Sequence, residues 1–404
     1  MTWKTTNTMT LRQEFIYLAT QEGANRRELC RRFDISPKTA YKWLQRFEQE
    51  GLRGLEDRSR RPLTIPCRTL ASVEEFVLAL RQTHPTWGSR KLQRRLADMG
   101  HVDVPAASTI TRILRHHDFI DEAQSQQSRA WKRFEHAQPN RLWQIDFKGN
   151  FPTLAGMCYP LTMLDDHSRF NLILEACAQP NLATVQQHLI RAFRRYGLPV
   201  QINADNGPPW GSPRAHEHGI TPLTIWLIRQ GIWVSHSRPA HPQTNGKEER
   251  FHRTLKADVL QGRHFTDLAE VQSTFDSWRT VYNTERPHQG IEMATPVTRY
   301  QPSILKYSEV LAPIEYAEND LILKVGWHGA VKHGKYQFKV PNALKGYAIV
   351  LRPVSDEDGF YHAYFCHQRF MKIDLREKPT HNVLPMSWYM CYPCPRSIHF
   401  AKKK

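Results

Sequence analysis

At 404 residues with 40% hydrophobic, 11% aromatic and 24% charged residues, the chain exceeds what one hydrophobic core serves, so two to four domains are expected and wholesale disorder is excluded. No stretch approaches the ~20 apolar residues of a membrane helix, and the opening MTWKTTNTMTLRQE lacks the apolar region of a secretory leader; the expectation is a cytoplasmic protein without a membrane partner. With 56 Lys and Arg against 39 Asp and Glu the net charge is +17, and the expected partner is a polyanion.

The basic excess lies mainly at the ends: residues 1–138 hold 24 basic and 16 acidic groups, and residues 376–404 hold 6 and 1. The seven cysteines are odd in number and scattered, the pattern of reduced thiols. Only Cys391 and Cys394 form a CxxC pair, and a structural zinc site needs a second ligand pair that is missing nearby.

Leu11, Phe15 and Leu18 recur at helical spacing and predict a first helix, broken at Gly23. A second runs from about Asn25 to Phe33, with Leu29 and Phe33 inward. Ser36-Pro37 supplies an N-cap and a first-turn proline for a third helix that buries Ala40, Leu44 and Phe47 and turns Lys38, Thr39, Tyr41, Lys42 and Gln45 outward. Residues 1–56 therefore read as a helix-turn-helix whose last helix enters a major groove, with a structural three-helix bundle as the alternative. Residues 57–70 form a basic linker in which Arg58, Arg60 and Arg61 suit a minor groove or serve only as a connection.

Residues 71–120 repeat the plan. Val73, Phe76, Val77 and Leu80 line the first helix; Leu92 and Leu96 face inward on the second while Arg90, Lys91, Arg94 and Arg95 face outward. Ile110, Ile113 and Leu114 are buried on the third, leaving Ser108, Thr109, Thr111 and Arg112 exposed. This is a second helix-turn-helix, and two in tandem suit a long DNA site. Residues 121–138 form a polar linker.

The texture changes at Asn140. Strand-like runs at Leu142 to Lys148, Tyr159 to Asp165, Phe170 to Cys177 and Val200 to Ala204 are joined by helical runs at Leu182 to Tyr196 and Thr221 to Gln230, a strand at Ile232 to Ser235, and helices at Gln243 to Leu260 and Asp267 to Asn283. Residues 139–300 thus form an α/β core with a mixed sheet. Alternation in Leu321, Leu323, Val325 and Trp327, in Tyr336, Phe338 and Val340, and in Tyr361, Ala363 and Phe365 predicts a small all-β barrel over residues 301–375, followed by a basic tail at 376–404.

Three carboxylates stand where ordinary packing does not favour them. Asp146 lies inside a strand, where Asp is depleted because it competes for backbone hydrogen bonds. Asp205 follows a short strand at a carboxyl edge of the sheet. Glu249 sits in the first turns of a helix, where it also complements the helix dipole. Singly each has an ordinary structural explanation; as a set they point to chemistry.

The segments Asp146-Phe147-Lys148-Gly149, Asp205-Asn206-Gly207 and His241-Pro242-Gln243-Thr244-Asn245-Gly246-Lys247-Glu248-Glu249-Arg250-Phe251-His252-Arg253-Thr254-Leu255-Lys256 resemble the Asp, Asp, Glu signature of insertion-sequence transposases and retroviral integrases. Tyr282 to Gly290 looks like the segment that closes that core, and the tandem helical modules look like such transposases' end-binding region. The resemblance implies a ribonuclease-H-like fold in which Asp146, Asp205 and Glu249 hold two Mg²⁺ ions, with Mn²⁺ as a substitute. Carboxylates are the hard oxygen ligands that Mg²⁺ prefers, and paired ions neutralise the anionic phosphodiester that resists attack.

On the last helix His252, Arg253 and Lys256 share the face of Glu249, so phosphate-binding bases flank the metal ligand, while Phe251, Leu255 and Val259 form the buried stripe. Glu248 falls nearer that stripe, where the family commonly has an apolar residue; the glycine-anchored register favours Glu249 but leaves Glu248 as an alternative. The 43 residues between Asp205 and Glu249 exceed the spacing of retroviral integrases. The excess resembles an insertion in one insertion-sequence branch, around the Pro208 to Pro213 loop.

The implied function is that of a bacterial, nucleoid-associated transposase that binds the inverted-repeat ends of its element, cuts at the 3′ ends with water and joins the freed hydroxyls to target DNA. Two ends and one trio per chain imply at least a dimer. The alternatives are a non-enzymatic helix-turn-helix regulator, which has no need of the trio, and a metal-dependent nuclease that does not join.

Overall fold

The computed structural model describes residues 7–58, 69–120, 135–211, 220–237, 246–334, 336–376 and 383–384. Arg60, Arg61, Cys391, Cys394 and the first five residues of the 241–256 segment lie outside them. The chain divides into two compact units, Met1–Arg68 and Thr69–Lys404.

The first unit holds three helices, α1 (Thr8–Ala19), α2 (Arg26–Arg32) and α3 (Pro37–Glu50), followed by a 3-10 turn at Gly51–Leu55. Each start is capped by a side chain: Asn7 accepts from the Met9 amide, Asn25 from Glu28 and Ser36 from Thr39, satisfying donors that helix geometry leaves free. The core is Phe15, Ile16, Ala19, Ala40, Trp43, Leu44 and Leu55. The expected stripe of α1 is corrected by one position, because Leu11 is 40% exposed while Ile16 and Ala19 turn inward. Trp43, which the spacing did not single out, is buried with the Arg12 guanidinium 3.9 Å from its ring centroid.

The second unit opens with α4 (Ala71–Thr83), α5 (Ser89–Asp98) and α6 (Ala107–His116) around Val77, Trp87, Leu92, Leu96, Ile110, Ile113 and Leu114. Arg81 donates to the carbonyls of Trp87 (2.7 Å) and Phe119 (3.0 Å), tying α4 to the ends of the other two helices. This module packs on the rest of its unit rather than standing alone. Val281 joins its core, Thr86 donates to Asp258 (2.6 Å), and Arg95 pairs with Glu285 (2.6 Å). Two residues expected to face outward are thereby corrected: Arg95 is used in that pair, and Lys91 is half-buried beside Arg286 and Asp258, its ammonium pushed down to about 7 first by burial and then by Arg286. Arg90 and Arg112 remain exposed.

The central sheet comprises β1 (Leu142–Phe147), β2 (Phe151–Thr153), β3 (Gly156–Asp165), β4 (Asn171–Cys177), β5 (Gln201–Ala204) and β6 (Trp233–His236). β3 runs antiparallel to β1, β2 and β4, whereas β1, β5 and β6 are parallel, the mixed order expected from strands followed by alternating helices. One face carries α7 (Leu182–Tyr196) and α8 (Pro222–Arg229) over Trp143, Ile145, Leu161 and Met163. The other carries α9 (Gly246–Leu255) and α10 (Leu268–Thr284), whose Phe251, Leu255, Phe275 and Tyr282 pack on Cys158, Leu164 and Leu174. Full burial of each such side chain contributes roughly 1.5–3 kcal/mol. Gly197 ends α7 at φ +78°, and the carbonyls of Ser303 and Leu305 lie where a side chain would begin, so only glycine fits there.

A short helix, α11 (Pro296–Arg299), leads to the last strands: β7 (Leu321–Lys324), β8 (Ala330–His333), β9 (Tyr336–Lys339), β10 (Ala348–Val354), β11 (Glu357–Phe365), β12 (Gln368–Asp374) and β13 (Val383–Leu384). The expected barrel is not formed among the described residues. β13-β12-β11-β10-β7 is an open antiparallel sheet, and β8 and β9 pair only with each other, so no ladder joins the two edges. The turn between β11 and β12 covers the edge of β6 instead: Gln368 Oε1 accepts from the Val234 amide (3.1 Å), and His367 packs edge-on to Trp233.

Candidate active site

Strand alternation settles which side chains share the site. Trp143 and Ile145 belong to the α7 face, so Gln144 and Asp146 face α9. Asp146 pairs across the ladder with Thr162, which faces the same way. The β1–β5 ladder ends with Gln144 opposite Asn203, so two residues further on Asp146, still in β1, is level with Asp205, just past the end of β5. Asp205 is exposed just past the carboxyl end of β5; its carbonyl accepts from His236 Nδ1 (3.0 Å), and Asn206 donates to the Ser237 carbonyl (2.6 Å). These bonds fix the loop that carries the carboxylate.

Asp146 is half-buried, and its carboxyl is pushed up to about 7, first by burial, then by the charge of Asp205 and more weakly by Glu249, against a hydrogen bond from the Phe147 amide. Asp205 and Glu249 are thus each within electrostatic reach of Asp146. They are not gathered into a cage: among the described residues no three His, Cys, Asp or Glu side chains stand close enough to hold an ion as they are.

The two adjacent glutamates behave differently. Glu248 is fully buried and Glu249 exposed. The carboxyl of Glu248 lies well above its ordinary range because of burial and then the charge of Asp146, opposed by the Thr162 hydroxyl and the Leu164 amide. The hydroxyl of Thr162 is 2.9 Å from Glu248 Oε2, 2.8 Å from His252 Nε2 and 3.1 Å from the Asp146 carbonyl. His252 is therefore corrected from a phosphate-facing base to a half-buried group turned onto Thr162, its imidazole pushed down to about 3 by burial and by Lys148. Arg253 and Lys256 are exposed as expected. α9 continues into a π-helical turn at Lys256–Leu260.

Asp166 and Lys247 were missed in the sequence. Asp166, 1% exposed, accepts from Gln144 Nε2 (3.0 Å), from the His136 amide (2.9 Å) and from Lys247. The doublet Asp165-Asp166 at a strand end was a visible signal, but its use depends on where α9 packs. Of the remaining expected DNA contacts, Lys38, Tyr41 and Lys42 are exposed on α3. Thr39 is half-buried, with its hydroxyl 2.9 Å from the Ser36 cap, and Arg58 is paired with Glu50.

Residues 136–242 and 230–296 match models described as integrase core domain, residues 11–62 match a helix-turn-helix domain, and residues 39–114 match a homeodomain-like domain. The fold and site therefore define a protein with amino-terminal helix-turn-helix regions and an integrase core. The likeness is to insertion-sequence transposases and retroviral integrases, over the stretch that matches the integrase core.

It is 25% identical over 61% of its length to an uncharacterized 39.2 kDa protein of insertion element IS476 from Xanthomonas euvesicatoria, spanning 69% of that protein. It is 28% identical over 40% of its length to the transposase for insertion sequence element IS904 from Lactococcus lactis, spanning 62% of it. It spans 54% of an IS407 protein from Burkholderia multivorans at 27% identity over 39% of its own length. Among solved structures, the HTLV-2 integrase catalytic core in complex with magnesium is 16% identical, with TM-score 0.29, over 41% of this chain and 99% of that one. The simian T-cell lymphotropic virus intasome in complex with a PP2A regulatory subunit is 15% identical, with TM-score 0.35, over 73% of this chain and 95% of that one. No described helix is long and apolar enough to cross a membrane.

Proposed function

We propose that the chain is a Mg²⁺-dependent transposase that binds its element's inverted-repeat ends, cuts at the 3′ ends and joins the freed hydroxyls to target DNA. The observation that carries this reading is placement: Asp146 in β1 lies beside the strand that leads into Asp205, with Glu249 exposed on α9, which packs on the same face of the sheet. A regulator that only binds DNA has no use for three acids so placed, since crowded like charges cost stability unless a cation offsets them. The donor set fits magnesium: all three are hard carboxylate oxygens, and Asp205 and Glu249 are exposed side chains able to change rotamer. When bound there, the metal supplies neutralisation of the phosphodiester charge and polarisation of the attacking and leaving oxygens.

The chain's own residues do the positioning. Asp146 fixes the base of the site on a rigid strand, and Asp205 and Glu249 close on it from the loop after β5 and from α9. Arg253 and Lys256, exposed along α9 and its π turn, with Lys148 near Lys256, offer cations to the backbone phosphates. Lys38, Tyr41 and Lys42 on α3 and Arg112 on α6 serve end recognition in the major groove. The test is a labelled element-end duplex incubated with target DNA. The wild type is expected to nick and join in Mg²⁺, and Asp146→Asn, Asp205→Asn or Glu249→Gln each to lose at least a hundredfold with DNA affinity kept. Binding without cleavage by the wild type would favour the regulator, and cleavage without joining the nuclease.

A further inference from the structure

We propose that a two-point clamp, Lys247 on Asp166 and Glu248 on Thr162, sets the register of α9 on the sheet and thereby directs Glu249 toward Asp146. This rests on the reading of Asp146, Asp205 and Glu249 as the reactive trio, and it assigns Lys247, Glu248, Thr162 and Asp166 as positioning residues.

The geometry is specific. Thr162 lies within β3 and Asp166 immediately follows its end, so the two anchors are four residues apart on the α9 face, roughly 13 Å along the strand direction at about 3.3 Å per residue. Lys247 and Glu248 are successive helical residues, about 100° apart around the axis. One contact would leave the helix free to roll or slide. Two contacts at different azimuths, one within β3 and one just past its end, restrain both motions. Glu249, a further 100° around, is then left exposed on the side of Asp146.

Both anchors are built from buried polar groups. Thr162 and Glu248 are each 0% exposed, and Asp166 is further held by Gln144 and the His136 amide. His252, one turn beyond Glu248, adds a contact to the same Thr162 hydroxyl. Apolar groups of similar shape would stabilise such a seam at least as well, and polar pairing adds a defined alignment that apolar contact lacks. The anchors reach α9 from a strand that also pairs directly with β1 at Asp146, so any shift of the clamp changes the separation between the two acids.

The test uses the full chain and follows hydrogen exchange of the backbone amides of residues 250–255, a readout that needs no catalysis. Thr162→Val keeps the shape and removes the hydroxyl; Lys247→Met, at a half-buried position, keeps the chain length and removes the charge without leaving a deep cavity. Both are expected to exchange at least tenfold faster in α9 with melting otherwise cooperative, whereas Thr162→Ser and Glu249→Gln exchange as the wild type does. In parallel, Mn²⁺ alone is titrated: half-saturation should rise at least fivefold in Thr162→Val and Lys247→Met and return in Thr162→Ser. Wild-type exchange in either Thr162→Val or Lys247→Met overturns the clamp. Faster exchange in both, with no Mn²⁺ binding even by the wild type, leaves the clamp standing and removes the functional reading instead.

Discussion

Asp258 shows how much one side chain organises away from the trio. Its carboxylate accepts from Thr86 (2.6 Å), Trp278 Nε1 (3.0 Å) and Arg286 (2.6 Å), so α10, the π turn after α9 and the α4–α6 module meet on one half-buried acid. Removing one partner of such a pair leaves the other charge uncompensated. Arg286→Met is therefore expected to destabilise the Thr69–Lys404 unit by about 3 kcal/mol, measured as a loss in urea midpoint at unchanged slope; a change near zero would mean that the pair is solvated. At this scale the sequence singles out Asp146, Asp205 and Glu249 as candidates, because acids in a strand, at a strand end and beside a helical glycine are individually odd. It was silent on Thr162, Asp166 and Lys247, whose residue types are ordinary and whose partners come from remote segments. The Glu248–Glu249 ambiguity was legible as geometry: the residue nearer the Phe251 stripe is the buried one.

Elements followed from periodicity wherever one face is buried. α3 begins at Pro37 after the Ser36 cap as its turn chemistry requires, and α7 spans Leu182–Tyr196 as its pattern indicates. Patterning failed where two contact surfaces compete for one helix. On α5, Lys91 and Arg95 look solvated by composition, yet α10 and its flank cover that side, so a charged stripe became an interface. The last strands alternate as barrel strands do, but alternation specifies faces and leaves closure to ladder pairing, which here ends at β7 and β13 among the described residues. For α3 the cap is a direct test. Ser36→Ala should cost about 1 kcal/mol in the Met1–Arg68 fragment, whereas Lys42→Ala, exposed on the same helix, should leave its melting unchanged and lower discrimination between end and random DNA. Equal loss on both sequences would make Lys42 a phosphate contact only.

For the whole molecule, the division at Arg68 and Thr69 changes how its labour is to be dissected. Composition placed the break between DNA-reading helices and catalytic core near residue 138, because the polar stretch there looks like a linker. The packing of Trp87, Lys91 and Arg95 against the core's flank joins the second module to the catalytic unit. On the proposed reading, one trio per chain and two element ends would require at least two chains. A mixture of the Asp205→Asn chain with a chain lacking Met1–Arg68, each inactive alone, is expected to recover joining, assayed on end duplexes with Mg²⁺. Absence of recovery, with a single protomer on a single end in active wild-type samples by light scattering, would contradict the shared arrangement.

The central claim is that Asp146, Asp205 and Glu249 act together as one cation site. Its most direct measurement is the titration of the DNA-free protein with Mn²⁺, followed by electron paramagnetic resonance of the free ion, in the wild type and in Asp146→Asn, Asp205→Asn, Glu249→Gln and Glu248→Gln. The account expects saturable binding by the wild type, loss of at least tenfold in affinity for each of the first three, and a smaller loss for Glu248→Gln, which keeps the helix seated through its amide. Wild-type affinity in Asp146→Asn, Asp205→Asn or Glu249→Gln, or a larger loss in Glu248→Gln than in Glu249→Gln, would contradict it.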